Sequence, residues 1–146
     1  MALKRQQIVD AIKTRLQGIL IANGYATNLG NNIFEWRVTN LNSAEFPACV
    51  YRDVSNTKQD GAIGSFRWAL NIEIQLITDG ETAAAEIRKM IADVYKAIGT
   101  DVRWGGLAVT TEQPESDEMD VEQHEKKQAG ALIKLSIIYD ANMWEM

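Results

Sequence analysis

The sequence has few of the side chains that build cross-links, metal sites or nucleophilic centres. Among its 146 residues there is one cysteine, Cys49, and one histidine, His124. A single cysteine cannot form a disulfide within the chain, and one histidine with one distant cysteine cannot complete a zinc site. Since Cys49 lies in the apolar stretch of residues 46–51, we expect a buried, unreactive thiol in a reducing compartment such as a cytoplasm.

Long apolar runs and a strong basic field are also lacking. No run approaches the roughly 18 apolar residues of a membrane span, and the start, MALKRQQIVDAIKTRLQ, lacks the apolar core of a signal peptide. The net charge is −5, and the seven carboxylates between Glu112 and Glu125 contribute −7, so the other charges sum to +2 (−5 minus −7). We therefore expect no membrane segment and no non-specific nucleic-acid binding.

What is present is typical of a small globular protein. Apolar residues make up 46% of the chain and charged residues 24%, which suits one packed core without disulfide or metal. A chain of this length buries about two-thirds of the surface that it exposes when unfolded. We predict a single domain over residues 1–146.

Helical periodicity marks two segments. Residues 3–22 place Ile8, Ile12, Leu16 and Ile19 on one side, and Asn23-Gly24 should end that helix. A second helix, capped by Asp79 or Thr82, should run to Ile98 with a buried stripe that includes Met90, Ile91 and Val94.

Strand patterns fill most of the remaining chain. The clearest is FRWALNIEIQLIT, in which apolar and polar residues alternate from Phe66 to Leu76. Further strands are predicted at residues 33–38, 46–54, 107–112 and 131–139. The order α-β-β-β-α-β-β predicts an α+β fold, with a mainly antiparallel β-sheet and two α-helices packed on one face. Residues 55–65 and 112–128 are predicted to be long mobile loops, and residues 140–146 a C-terminal tail.

The acidic stretch TEQPESDEMDVEQHEKK, residues 111–127, is the strongest candidate for chemistry. Acid–base catalysis needs carboxylates held in a cleft, yet only Met119 and Val121 could anchor this segment. Its spacing also lacks the alternating ligands and central glycine of an EF-hand calcium loop. It is interpreted as a solvated loop, or as a contact with another subunit or a partner. The residues assigned to that contact are Glu115, Asp117, Glu118 and Asp120.

No other motif points to an active site. No serine lies in a nucleophile elbow, and the glycine-bearing stretches match neither GxGxxG nor a P-loop. We predict no catalytic residue, no cofactor and no metal site. Trp36, Trp68 and Trp104 are expected in the core or covering the sheet. The terminal Met143 and Trp144 either fold back over the core or dock on another subunit.

The order of local patterns resembles a family of phage proteins. The pieces are a first helix ending in NGY, the strands NIFEWRV and FPACVYRD, and the long alternating strand. They continue with the helix ETAAAEIRKMIADVYKAI, the stretch TDVRWGGLAVTTEQPESD and the closing strand ALIKLSIIYD. This layout, over residues 8–139, resembles the tail terminator or tail-completion proteins of long-tailed phages and prophages, the lambda-type minor tail proteins.

The resemblance implies a structural virion protein rather than an enzyme. Such proteins form a hexameric ring on the end of the tail tube, stop its polymerisation and present a surface to the head-connector protein. Assembly would take place in the bacterial host cytoplasm, and DNA would pass through the ring without specific binding. An acidic channel lining would repel DNA and let it slide. The family has no catalytic residues to carry over.

The sequence leaves two other functions open. A small cytoplasmic adaptor or regulatory α+β module would bind a protein partner through the acidic stretch. A small enzyme would need a pocket between the second helix and the sheet, for which the sequence offers no nucleophile, base or set of metal ligands.

Overall fold

A computed structural model describes residues 3–37, 41, 43–59, 65–114, 116–123 and 127–142 of the chain. The helices are α1 (Lys4–Gln17) and α2 (Ala83–Gly99). The strands are β1 (Ile33–Glu35), β2 (Ala48–Gln59), β3 (Ser65–Asp79), β4 (Thr110–Glu112), β5 (Asp117–Gln123) and β6 (Lys127–Asn142). Short 3-10 turns lie at Ile21–Asn23, Leu29–Asn31, Ser43–Glu45 and Trp104–Gly106.

The six strands form one mixed, mostly antiparallel sheet. Its order is β1-β2-β3-β6-β4, and β5 also pairs with β6. β1 runs parallel to β2, and the other described pairs are antiparallel. β4 and β5 use the same edge of β6, since β4 lies opposite residues 136–138 and β5 opposite residues 127–133. This architecture confirms the predicted α+β fold.

The central strands β3 and β6 pair because apolar side chains alternate along both. The almost completely buried β3 residues are Leu70, Ile72, Ile74 and Leu76. Directly opposite them, β6 places Ile137, Leu135, Ile133 and Ala131. Burial of one large aliphatic side chain contributes about 1.5–3 kcal/mol, so this layer is a main source of stability. The alternation predicted for this segment is confirmed.

Both helices cover the same face of the sheet. α1 buries Ile8, Val9, Ile12 and Leu16, and α2 buries Ile87, Met90, Ile91 and Val94. These side chains form one hydrophobic cluster with the buried residues of β3 and β6. The opposite face carries no helix among the described residues. We call it the open face, and it includes Gln75, Ile77, Leu132 and Lys134.

Helix α1 ends at Gln17, before the predicted end at Ala22, because of a tertiary contact. The backbone N–H of Gly30 donates to the carbonyl of Ile19 at 2.8 Å. A Cβ on Gly30 would lie 2.3 Å from the carbonyl oxygen of Gln17. The loop that contains Gly30 therefore occupies the Ile19 carbonyl, which would accept a hydrogen bond within a longer helix. Gly24 is left-handed as expected, with φ +90°, but it ends the turn Ile21–Asn23.

The predictions of loops were wrong over most of their described lengths. Residues 55–59 belong to β2, which pairs with β3 as far as Gln59. Residues 117–123 form β5, a strand missing from the predicted order. In the predicted tail, residues 140–142 complete β6. These segments form strands because β3 and β6 are long enough to offer them backbone partners, which their own polar side chains do not reveal.

Candidate interaction surface

Residues 117–123 of the acidic stretch form the outer strand of a hairpin, and their carboxylates are divided between the two faces of the sheet. All seven side chains of β5 are exposed. Pairing with β6 puts Glu118 and Asp120 on the open face, opposite Leu132 and Gly130. Asp117 points to the helix side, where the hydroxyl of Tyr95 on α2 donates to its Oδ2 at 3.1 Å. Asp117 is on the opposite face of the strand from Glu118 and Asp120, so it cannot form a catalytic pair with either. Glu118 and Asp120 share the open face, but both are exposed to solvent rather than held in an enclosed cleft. Glu115, Met143 and Trp144 lie outside the described residues.

A shallow depression lies beside these carboxylates on the open face. Its volume is about 380 Å³, and its apolar floor includes Ile77, Gly130 and Leu132. Gly130 has no side chain, so the surface is hollow between β3 and β5. Glu118 and Asp120 form one wall. The depression therefore presents an apolar floor beside a negative wall, open to solvent.

Neither an exposed thiol nor a cluster of metal ligands is present among the described residues. Burial raises the pKa of the Cys49 thiol to about 12, so it stays protonated, and the prediction that it is buried is confirmed. Among the described residues, no group of three or more histidine, cysteine, aspartate or glutamate side chains is placed to bind a metal ion. α1 and α2 are both too short or too polar to cross a membrane.

Asp93 is a buried carboxylate that the sequence prediction missed. It accepts the backbone N–H groups of Ala26 and Thr27 at 3.0 and 2.9 Å, and the Thr27 hydroxyl at 2.7 Å. These bonds fasten α2 to the chain after α1, which is a structural role. The signal was present, because Asp93 lies within the apolar stripe of α2, between Met90 and Val94, where a charge needs a partner.

Trp36 is the most unusual exposed residue of the described chain. It was predicted to lie in the core or to cover the sheet, and the core placement was wrong, since 47% of it is exposed. Its φ is +52°, a left-handed conformation that a bulky residue adopts only when its surroundings impose it. The backbone N–H of Trp36 donates to the carbonyl of Tyr51 at 3.0 Å, and its indole Nε1–H donates to Asp53 at 2.8 Å.

Asp53 holds Trp36 in place and is itself held by α1. Arg5 donates to the second carboxylate oxygen of Asp53 at 2.9 Å. Burial alone would raise the pKa of Asp53, but the hydrogen bonds from Trp36 and Arg5 outweigh it, so the pKa lies below its usual value. The indole is therefore presented to solvent in a fixed orientation. Tryptophan and arginine are the residues most enriched where protein partners bind strongly.

Two open edges bound the described part of the sheet. At one end, β5 pairs with β6 on one side only. We call this the β5 edge, residues 117–123. At the other end, β1 pairs with β2 only as far as Tyr51, and beyond it β3 is the one described neighbour of β2. We call residues 54–59 the β2 edge.

Exposed apolar side chains accompany both edges. The β2 edge begins at Val54, which is 41% exposed and follows Asp53, the residue to which the Trp36 indole donates. The β5 edge carries Met119 and Val121, which are 39% and 42% exposed. Backbone groups and apolar side chains left together at a strand edge are typical of a site where another chain docks.

Neither a protein-family model nor a curated protein matches this sequence. Among the described residues, the two edges, the open face and the fixed indole are the features that bear on function.

Proposed function

We propose that this protein is a non-enzymatic assembly subunit, similar to phage tail terminators, that forms a ring on the end of a tail tube. The observation that carries the proposal is the pair of unlike open edges, the β2 edge and the β5 edge, on opposite sides of the central strands β3 and β6 in the described part of the sheet. When one surface of a subunit meets a different surface of the next, the contact repeats until the ring closes. A subunit with two unlike edges is suited to that geometry.

The placement of polar groups supports an assembly role over catalysis. The exposed carboxylates Glu118 and Asp120 are on a solvated strand, and the thiol of Cys49 is buried. The aromatic residue that is fixed and exposed, Trp36, has the chemistry of a contact residue rather than a catalytic one. In the proposed ring, the partners are further copies of the chain, the tail-tube protein and the head-connector protein.

The direct test is a tube-capping assay. The purified chain would be added to its cognate tail-tube protein during polymerisation, and tube lengths would be measured by negative-stain electron microscopy. We expect shorter tubes with a ring at one end, and a mass from light scattering that is a multiple of the 16.3 kDa chain. Unchanged tube lengths together with a monomeric mass, with and without tubes, would refute the proposal.

A second candidate is an adaptor that binds a basic protein segment. The observation that favours it is the depression with Ile77 and Leu132 on its floor and Glu118 and Asp120 on its wall. Such a surface fits an apolar side chain flanked by lysine or arginine. A chain that stays monomeric at high concentration, and whose binding to a basic partner weakens as salt is raised, would favour this function.

A further inference from the structure

We infer that copies of this chain join by continuing the sheet, with the β5 edge of one subunit lying beside the β2 edge of the next. The inference deepens the proposed ring and rests on it. The first observation that supports it is that the two edges have similar lengths. The β5 edge has seven residues and the β2 edge spans residues 54–59, and strands of this length are each about 20 Å long. Both edges are exposed, so neither would have to unfold to pair.

The second support is hydrogen-bonding chemistry on the open face. There the β2 edge presents the hydroxyls of Ser55 and Thr57, and each accepts a bond from the amide of Asn71, at 2.8 and 3.2 Å. Each hydroxyl oxygen thus already accepts one hydrogen bond, and its O–H remains able to donate to a neighbouring acceptor. The β5 edge presents Glu118 and Asp120 on the same face, and ionised carboxylates are acceptors only. One edge supplies donors and the other acceptors.

The third support is the apolar surface on the helix side. Met119 and Val121 of the β5 edge face that side, because they lie opposite Ala131 and Ala129 of β6. At the other edge, Trp36 reaches Asp53, which faces the same side opposite Ile72. Joining the edges would therefore bring exposed apolar side chains together on one face while the polar pairs form on the other.

The carboxylates also decide which edges can meet. Two β5 edges paired with each other would bring Glu118 and Asp120 close to their copies, and like charges on neighbouring strands are destabilising. Pairing with the neutral residues Ser55 and Thr57 carries no such penalty. The acidic residues thus disfavour a symmetric dimer and favour a head-to-tail contact, which is the contact that a ring requires.

The first experiment places charge on the β2 edge. The double variant Ser55→Glu/Thr57→Glu would face Glu118 and Asp120 of the neighbour, and we expect the midpoint concentration for assembly, measured by light scattering, to rise roughly tenfold or more. The matched control, Ser55→Gln/Thr57→Gln, has similar volume without charge and should assemble within about threefold of the wild type. Adding Glu118→Lys/Asp120→Lys to the glutamate variant should restore assembly.

The second experiment detects the contact directly and does not depend on the first variant folding. With Thr57→Cys and Asp120→Cys in one chain, mild oxidation should give a ladder of covalently linked subunits on a non-reducing gel. A bond within one chain is excluded, since β3 and β6 separate the two positions by at least about 14 Å and a disulfide spans about 7 Å between Cα atoms. Lys13→Cys/Asp120→Cys, with one position on the exposed face of α1, is the control and should give no ladder.

The outcomes separate this inference from the proposed function. Normal assembly of the glutamate variant, or a wild-type ring whose double-cysteine variant gives no ladder, would overturn the edge contact and leave the ring standing. A wild-type chain that is monomeric both alone and with tubes would overturn both.

Discussion

The contact between Asp93 and the chain after α1 gives the sharpest test of what holds this fold together. In an Asp93→Ala variant the buried N–H and hydroxyl of Thr27 lose the carboxylate that accepts them at 2.9 and 2.7 Å. An unsatisfied buried donor costs about 1–3 kcal/mol. The N–H of Ala26 is only partly buried and can bond to water instead, so its loss adds little. We expect the free energy of unfolding to fall by about 2–4 kcal/mol.

The measurement is equilibrium urea unfolding at pH 7, followed by far-UV circular dichroism and tryptophan fluorescence. Asp93→Asn keeps the shape and one acceptor oxygen, so its loss should be smaller than that of Asp93→Ala. Glu118→Ala removes an exposed carboxylate and should stay within about 0.5 kcal/mol of the wild type. If Asp93→Ala also stayed within that limit, water would be replacing the carboxylate, and the structural role given to Asp93 would be refuted.

Three further changes test other parts of the structure. Gly30→Ala should cost about 2 kcal/mol or more, because its Cβ would lie 2.3 Å from a backbone carbonyl oxygen, while Gly99→Ala, with nothing within 4 Å, serves as its control in urea unfolding. Neutralising Glu118 and Asp120 together, as glutamine and asparagine, should leave the unfolding free energy within about 0.5 kcal/mol, and a collapse of the fold would contradict their exposure. The pKa of Asp53 is lowered in the folded state, so its stabilising effect is present above about pH 4 and is lost as the pH falls through the folded pKa. Asp53→Asn should therefore be less stable than the wild type at pH 7, and the gap in unfolding free energy should narrow at pH 3.

The elements that could be predicted from the sequence are those with apolar residues at the regular spacing of a strand or a helix. β3 alternates from Phe66 to Leu76, and α2 carries its apolar stripe from Ile87 to Val94, so both were found close to their true bounds. Each of these elements has one face that must be buried against the rest of the protein, and that requirement leaves a periodic pattern in the residues.

The elements and contacts that were missed depend on partners distant in sequence. β5 is exposed on both faces, and its only alternating apolar residues are Met119 and Val121, a pattern too short to predict a strand. It forms a strand because it pairs with the edge of β6. The early end of α1 follows from the approach of Gly30. Trp36 was predicted to lie in the core or to cover the sheet because of its sequence neighbours, but its left-handed backbone and its hydrogen bond to Asp53 leave the ring exposed. No local pattern encodes these three outcomes.

Strand β6 has neighbours of very different importance on its two sides. On one side it pairs with β3 from Gln128 to Asn142, within the core, and on the other it pairs with the short β4 and the exposed β5. The amides of β6 that bond to β3 should exchange with deuterium only on global unfolding, whereas those of β5 should exchange through local opening, orders of magnitude faster. The outer strand could thus accumulate substitutions, and so change its binding preference, without endangering the fold that carries it.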